Sequence, residues 1–193
     1  MKDTITYQIG DNLYINLTNR CSFCVREGKE TYEGYALWLK AGEPSAEQII
    51  GEIGDPTRYH EIVFCGFGEP TFRLEEMCKV CDYVHAHGGK TRLNTNGHGS
   101  LIHGYDIAPL LKGKLDGVNI SLNAPTESDY VALCRPQIAG AFAGMLAFAR
   151  ACRESGVNCW FSVVDCIGKE AVEACRTCAQ EIGISLRVRE MIE

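Results

Sequence analysis

Short apolar stretches alternate along the chain with longer segments in which apolar residues recur at helical spacing. Near the start, Thr4–Ile9 and Leu13–Leu17 flank Gly10-Asp11-Asn12, a pattern that predicts a β-hairpin. The later apolar runs predict strands over residues 61–65, 90–94, 117–122, 159–164 and 184–188. The segments between them predict helices over residues 45–54, 74–87, 101–111, 138–155 and 169–182. The helix over 101–111 is interrupted by Gly104 and Pro109.

Strands that alternate with helices need crossover connections, which predicts a parallel sheet. Counted from Leu13–Leu17, the chain holds six strand–helix units, of which the last ends in its strand. We therefore expect an α/β fold, a partial (β/α)6 barrel with parallel strands preceded by a short N-terminal β-hairpin. A chain of 193 residues suits one such domain over residues 1–193 and is too short for two of ordinary size.

Charge and composition narrow the classes of partner. The net charge is −6 without a cluster of Lys and Arg, which argues against nucleic acid as the main partner. No apolar run is long enough to span a bilayer, and Met1–Thr4 is too polar for a signal peptide, so we expect a cytoplasmic protein without a membrane partner. The eleven cysteines are an odd number, which favours metal binding plus buried thiols over a disulfide framework.

Cys21 and Cys24 stand three positions apart, just after a predicted strand. Two thiolates at this spacing can bind one soft metal centre. The alternatives are a redox dithiol, which usually opens a helix in a thioredoxin-like unit, and half of a zinc site, which needs about four ligands. We predict Cys21 and Cys24 as metal ligands.

Three further polar loops follow predicted strands. Residues 66–71 read Gly-Phe-Gly-Glu-Pro-Thr, residues 94–97 read Asn-Thr-Asn-Gly, and residues 121–123 read Ser-Leu-Asn. The carboxyl ends of parallel strands form one functional rim, so together these loops predict a binding site there. Glycines let the backbone approach a ligand closely, and Glu69 can accept hydrogen bonds from an ammonium group. Taken singly, each loop also suits an ordinary turn.

Two other cysteine pairs have the same spacing inside predicted helices. They are Cys78 with Cys81 and Cys175 with Cys178. Each pair shares an apolar helix face, which favours a role as small core residues. Together they would form a four-cysteine zinc site only if the two helices touch.

The motifs together resemble the radical S-adenosylmethionine (radical SAM) superfamily, and most closely its TatD-associated proteins. The superfamily's cluster loop is Cys-x-x-x-Cys-x-aromatic-Cys, and Cys21-Ser22-Phe23-Cys24 resembles its last segment. Leu17 stands four residues before Cys21, where the family has its first cysteine, so the loop is shortened here. The likeness runs over nearly the whole chain and includes residues 19–26, 64–71, 93–97, 119–125, 133–136 and 186–189.

The resemblance implies two cofactors, a [4Fe–4S] cluster held partly by Cys21 and Cys24, and S-adenosyl-L-methionine. In the family, the aromatic residue flanks the adenine, the glycine loop binds the methionine amino group, and the later polar loops meet the carboxylate and the ribose. The positions that match here are Phe23, Gly66, Phe67, Gly68, Glu69, Pro70, Asn94, Asn96, Ser121 and Asn123.

The resemblance also implies an activity. A radical SAM enzyme cleaves S-adenosylmethionine reductively to a 5′-deoxyadenosyl radical, which abstracts hydrogen from a substrate, here an unknown small molecule or protein. Reduced flavodoxin or ferredoxin is the implied electron donor, and there is no room for an auxiliary-cluster domain. Cys65 is a hypothetical substitute ligand. The alternatives are a non-catalytic S-adenosylmethionine-binding protein without a stable cluster, and a zinc-stabilised barrel.

Overall fold

The computed structural model describes residues 3–23 and 30–191. These divide into two compact units. The first contains the described residues up to Cys21, those from residue 30 to Asn94, and Gly113–Gly117. The second contains Ser22 and Phe23, Thr95–Lys112 and the described residues from Val118 onward.

The first unit carries most of the strands that come early in the chain. Its elements in chain order are β1 (Thr6–Ile9), β2 (Asn12–Ile15), β3 (Thr31–Tyr32), β4 (Tyr35–Ala36), α1 (Ala46–Ile53), β5 (Ile62–Phe64), α2 (Leu74–Ala86) and β6 (Thr91–Thr95), whose last residue falls in the second unit. Short 3₁₀ turns cover Pro56–Arg58 and Pro70–Arg73.

Within this unit, β1 and β2 pair antiparallel around the turn at Gly10 and Asp11. β2 pairs parallel with β5, and β5 pairs parallel with β6. β3 and β4 form a separate antiparallel pair. β5 is buried along its whole length, as expected of a parallel strand covered on both faces. α1 packs on α2. The fully buried apolar side chains of the unit include Ile15, Ile49, Ile62, Phe64 and Met77.

α1 begins where the sequence predicts it. The Ser45 side chain accepts a hydrogen bond from the Gln48 amide, and the Gln48 side chain accepts one from the Ser45 amide. This capping box satisfies amide groups that the first turn of a helix leaves without a partner. It therefore fixes the start of the helix that connects β2 to β5.

The second unit follows the same strand–helix alternation. Its elements are α3 (Gly99–His103), α4 (Ala108–Leu111), β7 (Gly117–Ser121), α5 (Glu127–Cys134), α6 (Ala141–Glu154), β8 (Cys159–Val164), a 3₁₀ turn (Asp165–Ile167), α7 (Lys169–Ile182) and β9 (Ser185–Arg189). β7 pairs parallel with β8, and β8 with β9. α6 packs on α3, α4, α5, α7 and β8. The core of the second unit includes Ile107, Ile120, Tyr130, Phe148 and Phe161.

The expectation of an α/β protein with mostly parallel strands is confirmed. Two local differences remain. The helix predicted over 138–155 begins only at Ala141, because Gly140 before it has a left-handed backbone (φ 67°). The Thr126-capped helix α5 was not predicted. The break expected at Gly104 within residues 101–111 is present, since Gly104 ends the first of two short helices with φ 73°. In the part of the chain that the structure describes, no helix has the length and apolar character needed to cross a membrane.

Candidate functional site

The segment before Cys21 is held in a defined conformation within the first unit. The Thr18 hydroxyl donates a hydrogen bond to the Glu43 carboxylate and accepts one from the Arg20 amide at 3.0 Å. Asn19 exchanges two hydrogen bonds with the backbone of Leu39, at 2.8 and 3.0 Å. Cys21 itself is half-buried. Cys24, the second predicted metal ligand, lies outside the described residues.

The glycines of residues 66–71 permit close packing between two loops of the first unit. A β-carbon on Gly66 would lie 2.2 Å from Asn16 Oδ1, and one on Gly68 would lie 2.2 Å from the Thr18 carbonyl oxygen. Non-bonded contacts that short do not occur, so a larger residue at 66 would have to displace the Asn16 side chain, and one at 68 would have to move the backbone. The immediate reason for both glycines is therefore the segment that leads to Cys21.

Glu69 is buried, with only 3% of its surface exposed. Its Oε1 accepts hydrogen bonds from the Thr71 amide at 3.1 Å and from the Thr71 hydroxyl at 2.7 Å, so it caps the 3₁₀ turn Pro70–Arg73. Its amide donates to the Arg20 carbonyl at 2.7 Å. A carboxylate buried in this way is favourable when a cationic group can reach it.

The remaining predicted residues of the first unit lie near this loop in the sequence or on the neighbouring strand. Phe67 is half-buried and Pro70 is buried. Asn94 lies within β6, not after it, and its Oδ1 accepts a hydrogen bond from the Arg92 guanidinium at 2.7 Å. The same guanidinium pairs with Glu61 at 2.7 Å. Asn94 is therefore already engaged by a charged neighbour on its own strand.

In the second unit, Ser22 and Asn96 meet in a buried hydrogen-bond network. Asn96 Nδ2 donates to Ser22 Oγ at 2.8 Å, and Ser22 Oγ lies 2.7 Å from His98 Nδ1. His98 Nε2 lies 2.9 Å from the Tyr130 hydroxyl. The Phe23 ring contacts the rings of His98 and Tyr130 edge to face, with centroids 5.2 and 5.9 Å away.

Sequence reasoning missed His98 and Tyr130. Both are fully buried, and burial lowers the pKa of His98 to about 4, so its imidazole is neutral near pH 7. The one signal for His98 was its place directly after the Asn-Thr-Asn-Gly turn. Tyr130 lies on α5, whose existence was not predicted, so no pattern pointed to it.

Ser121 and Asn123, predicted to meet a ribose, stand at the end of β7. Asn123 has a left-handed backbone (φ 62°), and its Nδ2 donates to Cys134 Sγ at 3.3 Å. A non-glycine residue in this conformation is uncommon and marks a position held by its surroundings. Ser121 is half-buried and is the cross-strand partner of Ser162 on β8.

Among the described residues of the second unit, two buried oxygens have no hydrogen-bond partner, Asn119 Oδ1 and Ser162 Oγ. Asn119 and Ser121 are two apart on β7 and share a face, and Ser162 lies opposite Ser121. Buried acceptors and hydroxyls without a partner are energetically unfavourable, and a ligand carrying hydroxyl or amino groups would satisfy them. This face of β7 and β8 therefore suits a polar ligand.

The second unit also has an open cavity of about 480 Å³ on another face. It lies along α3 and α6 and is lined by side chains that include Leu101, Tyr105 and Phe148. None of the predicted site residues that the structure describes lines it. The cavity is therefore separate from the loops considered above.

The described residues do not complete a metal site. Across residues 3–23 and 30–191, no group of three or more Cys, His, Asp or Glu side chains has the arrangement needed to hold a metal ion. The helix pairs Cys78–Cys81 and Cys175–Cys178 and the proposed substitute Cys65 are included in that statement. The thiolate set for an iron–sulfur cluster is thus not found among the described side chains, and we derive no chemical step through one.

A comparison of the sequence with models of known protein families decides the family. The model of the Radical SAM superfamily matches residues 18–170. The chain belongs to the radical SAM superfamily. The match begins at Thr18 and includes the cysteine motif, the glycine loop and the polar strand ends described above.

Solved structures of radical SAM enzymes have the same fold at low sequence identity. A structure of TYW1 with a lysine–pyruvate adduct bound is 13% identical, with a TM-score of 0.63 over 95% of this chain and 65% of that chain. anSMEcpe with bound AdoMet is 17% identical, with a TM-score of 0.61 over 93% and 51%. Streptococcus suis SuiB bound to S-adenosylmethionine is 18% identical, with a TM-score of 0.58 over 95% and 38%.

This chain spans between about two fifths and two thirds of the length of these three proteins. No curated protein matches it. The likeness to the solved structures therefore establishes the fold, while substrate and partners have to be argued from this chain's own residues.

Proposed function

We propose that the chain is a radical SAM enzyme that binds S-adenosylmethionine at residues 66–71 and at the ends of β6 and β7. The observation that carries the proposal is the buried Glu69 carboxylate, held on a glycine loop that packs directly on the segment leading to Cys21. In this role Glu69 accepts hydrogen bonds from the methionine amino group. Family membership implies the radical chemistry itself.

The other predicted residues take the remaining parts of the cofactor. Phe23 flanks the adenine, Asn94 and Asn96 meet the carboxylate end, and Ser121 and Asn123 bind the ribose. Asn119 and Ser162 support this assignment, because each places a buried polar atom without a protein partner on the Ser121 face. When bound, an iron–sulfur cluster and S-adenosylmethionine would supply one-electron radical chemistry at these residues.

Cys21 and Cys24 are the proposed thiolate ligands, and the shortened loop leaves the third ligand open. Cys65 directly follows β5, and its amide donates to the Ile15 carbonyl at 3.0 Å. It is the candidate we propose to test for that role. Reduced flavodoxin or ferredoxin is the proposed electron donor, and the substrate is a small molecule or a protein.

We place the chain nearest to the TatD-associated radical SAM proteins on its motifs, and we propose that residues 1–193 form a single radical SAM domain. The structure shows no disulfide among the cysteines of residues 3–23 and 30–191, and burial raises the pKa of several of them. Cysteines that form no disulfide suit a reducing compartment, and we propose the cytoplasm.

The test is anaerobic reconstitution with iron and sulfide, followed by assay of both elements and of 5′-deoxyadenosine released under a strong reductant. We expect about four irons per chain and release of 5′-deoxyadenosine. Iron loading should fall in Cys21→Ala and stay unchanged in Cys166→Ala, which removes an exposed thiol on the 3₁₀ turn after β8.

Two results would revise the proposal. Binding of S-adenosylmethionine without iron or cleavage would leave a non-catalytic binding protein. Unchanged iron content in Cys65→Ala would remove Cys65 as the third ligand while the rest of the proposal stands.

A further inference from the structure

The buried network in the second unit holds Ser22 through two neighbouring side chains. Asn96 Oδ1 accepts the His98 amide at 3.0 Å, so the nitrogen of the Asn96 side chain is the atom that faces Ser22. Ser22 Oγ accepts that hydrogen bond and lies 2.7 Å from His98 Nδ1. His98 Nε2 in turn lies 2.9 Å from the Tyr130 hydroxyl.

The main chain of the same segment is anchored as well. The Ser22 carbonyl accepts a hydrogen bond from the Gln137 amide at 2.7 Å. Phe23 forms an isolated antiparallel bridge with Pro136, and its ring packs on His98 and Tyr130. Ser22 and Phe23 are thus held through both side chain and backbone.

The place of this network in the sequence distinguishes it from ordinary core packing. Ser22 and Phe23 are the two residues between Cys21 and Cys24, and Asn96 and His98 follow the end of β6. Ser22 and its three polar neighbours Asn96, His98 and Tyr130 are all at most 5% exposed. The Ser22–His98 contact does not suit a nucleophile and base, because a hydroxyl at 5% exposure is closed to substrate.

We propose that His98 is a positioning residue that fixes the Ser22–Phe23 segment, and with it the Phe23 ring, before cofactor binds. This inference rests on the proposed function, because the segment matters only if the residues around Phe23 serve a cofactor. Ordering a loop residue in advance removes a loss of backbone entropy that binding would otherwise have to overcome. The shortened loop makes such ordering more important, since fewer thiolates hold the segment.

The test uses His98→Leu, which removes the hydrogen bonds of the imidazole ring, and His98→Asn, whose side-chain amide can still form a hydrogen bond with Ser22. The control is His85→Leu. His85 is a half-buried histidine of the first unit that contacts Thr91 Oγ1 at 3.1 Å and Asp116 at 3.0 Å. His85 is also an imidazole that forms side-chain hydrogen bonds, and it does not contact the network around Ser22.

Two quantities are measured in each variant. The first is hydrogen exchange of the Gln137 amide in protein without cofactor, because that amide bonds to the Ser22 carbonyl. The second is the affinity of the reconstituted protein for S-adenosylmethionine. In His98→Leu we expect about tenfold faster exchange and about tenfold weaker binding. His98→Asn should recover most of both, and His85→Leu should change neither.

Different failures have different meanings. If the wild-type protein binds no S-adenosylmethionine, the proposed function is wrong and this inference falls with it. If the wild-type protein binds and His98→Leu binds equally well, only the inference is overturned. Should His98→Leu not fold, Ser22→Ala removes the central hydroxyl with a smaller change of shape, and unchanged exchange and affinity in that variant would equally overturn the inference.

Discussion

A β-carbon placed on Gly68 would lie 2.2 Å from the carbonyl oxygen of Thr18. Two loops of the first unit, the one before Cys21 and the one after β5, therefore touch through their backbones. The contact couples the proposed cysteine ligand segment to Glu69, whose amide bonds to the Arg20 carbonyl at 2.7 Å. A displacement of the backbone of one loop therefore moves the backbone of the other loop directly.

Gly68→Ala should therefore lower stability by about 1–3 kcal/mol, because the backbone has to move to admit a methyl group. It should also weaken S-adenosylmethionine binding, since Glu69 shifts with the loop. Urea denaturation and a binding titration measure the two effects. The control is Gly51→Ala in α1, where nothing lies within 4 Å, and it should raise stability by about 0.5–1 kcal/mol. Equal behaviour of the two variants would contradict the packing argument.

Glu69→Gln should separate the charge of this residue from its structural role. Glutamine keeps an oxygen that can accept the Thr71 amide and hydroxyl, so the thermal midpoint should change little. Loss of the negative charge should weaken S-adenosylmethionine binding by about tenfold or more, because hydrogen bonds to a charged group contribute about 1.5–3 kcal/mol. Isothermal calorimetry measures the affinity.

The matched control for Glu69 is Glu75→Gln, which removes an exposed carboxylate paired with Lys79 at 2.8 Å on α2. It should leave binding unchanged. If Glu69→Gln binds as tightly as the wild-type protein, the carboxylate serves only to cap its own turn.

His98 should make folding stability depend on pH in acid. Burial lowers its pKa from 6.5 to about 4, so between these values the unfolded chain binds the proton more strongly. The stability that neutral His98 contributes is therefore complete above about pH 6.5 and is lost as pH falls toward 4, by an amount on the order of 3 kcal/mol.

His98→Asn cannot titrate and should lack this component. The measurement is the free energy of unfolding in urea at pH values from about 7 to 4.5, in both proteins. The other titratable groups contribute equally to the pH dependence of both proteins. The difference between the two slopes of unfolding free energy against pH therefore reports on His98 alone. Parallel slopes would show that His98 titrates normally in the folded protein.

The cysteines should differ widely in reactivity toward iodoacetamide. Cys81 and Cys152 are fully buried, and burial raises the pKa of each thiol, while burial raises the pKa of Cys175 to about 12. Alkylation needs a thiolate that solvent can reach, so exposed Cys166 should be labelled well before these three. Mass spectrometry of peptides after brief labelling gives the order.

Unfolding in denaturant should remove these differences, which controls for intrinsic reactivity. Early labelling of Cys81 or Cys175 would contradict their assignment as core residues. A thermal midpoint that falls on addition of a zinc chelator would do so as well.

The sequence alone determined the α/β class and the order of most elements, because hydrophobic periodicity is local and reports directly on strand or helix. It also located the loops that matter, since turns rich in glycine, asparagine and cysteine stand out between apolar runs. The capping box at Ser45 and Gln48 was readable for the same reason: both partners lie within one turn of α1.

Only the tertiary structure decided what those loop residues contact. The glycines at 66 and 68 suggested close approach to a ligand, but their nearest neighbours are Asn16 and Thr18, about fifty residues earlier in the chain. The network that joins Ser22 to His98 and Tyr130 links positions more than thirty and seventy residues apart. No periodicity encodes such pairs, because hydrogen bonds between distant segments depend on how the strands and helices pack, not on the local pattern that forms them.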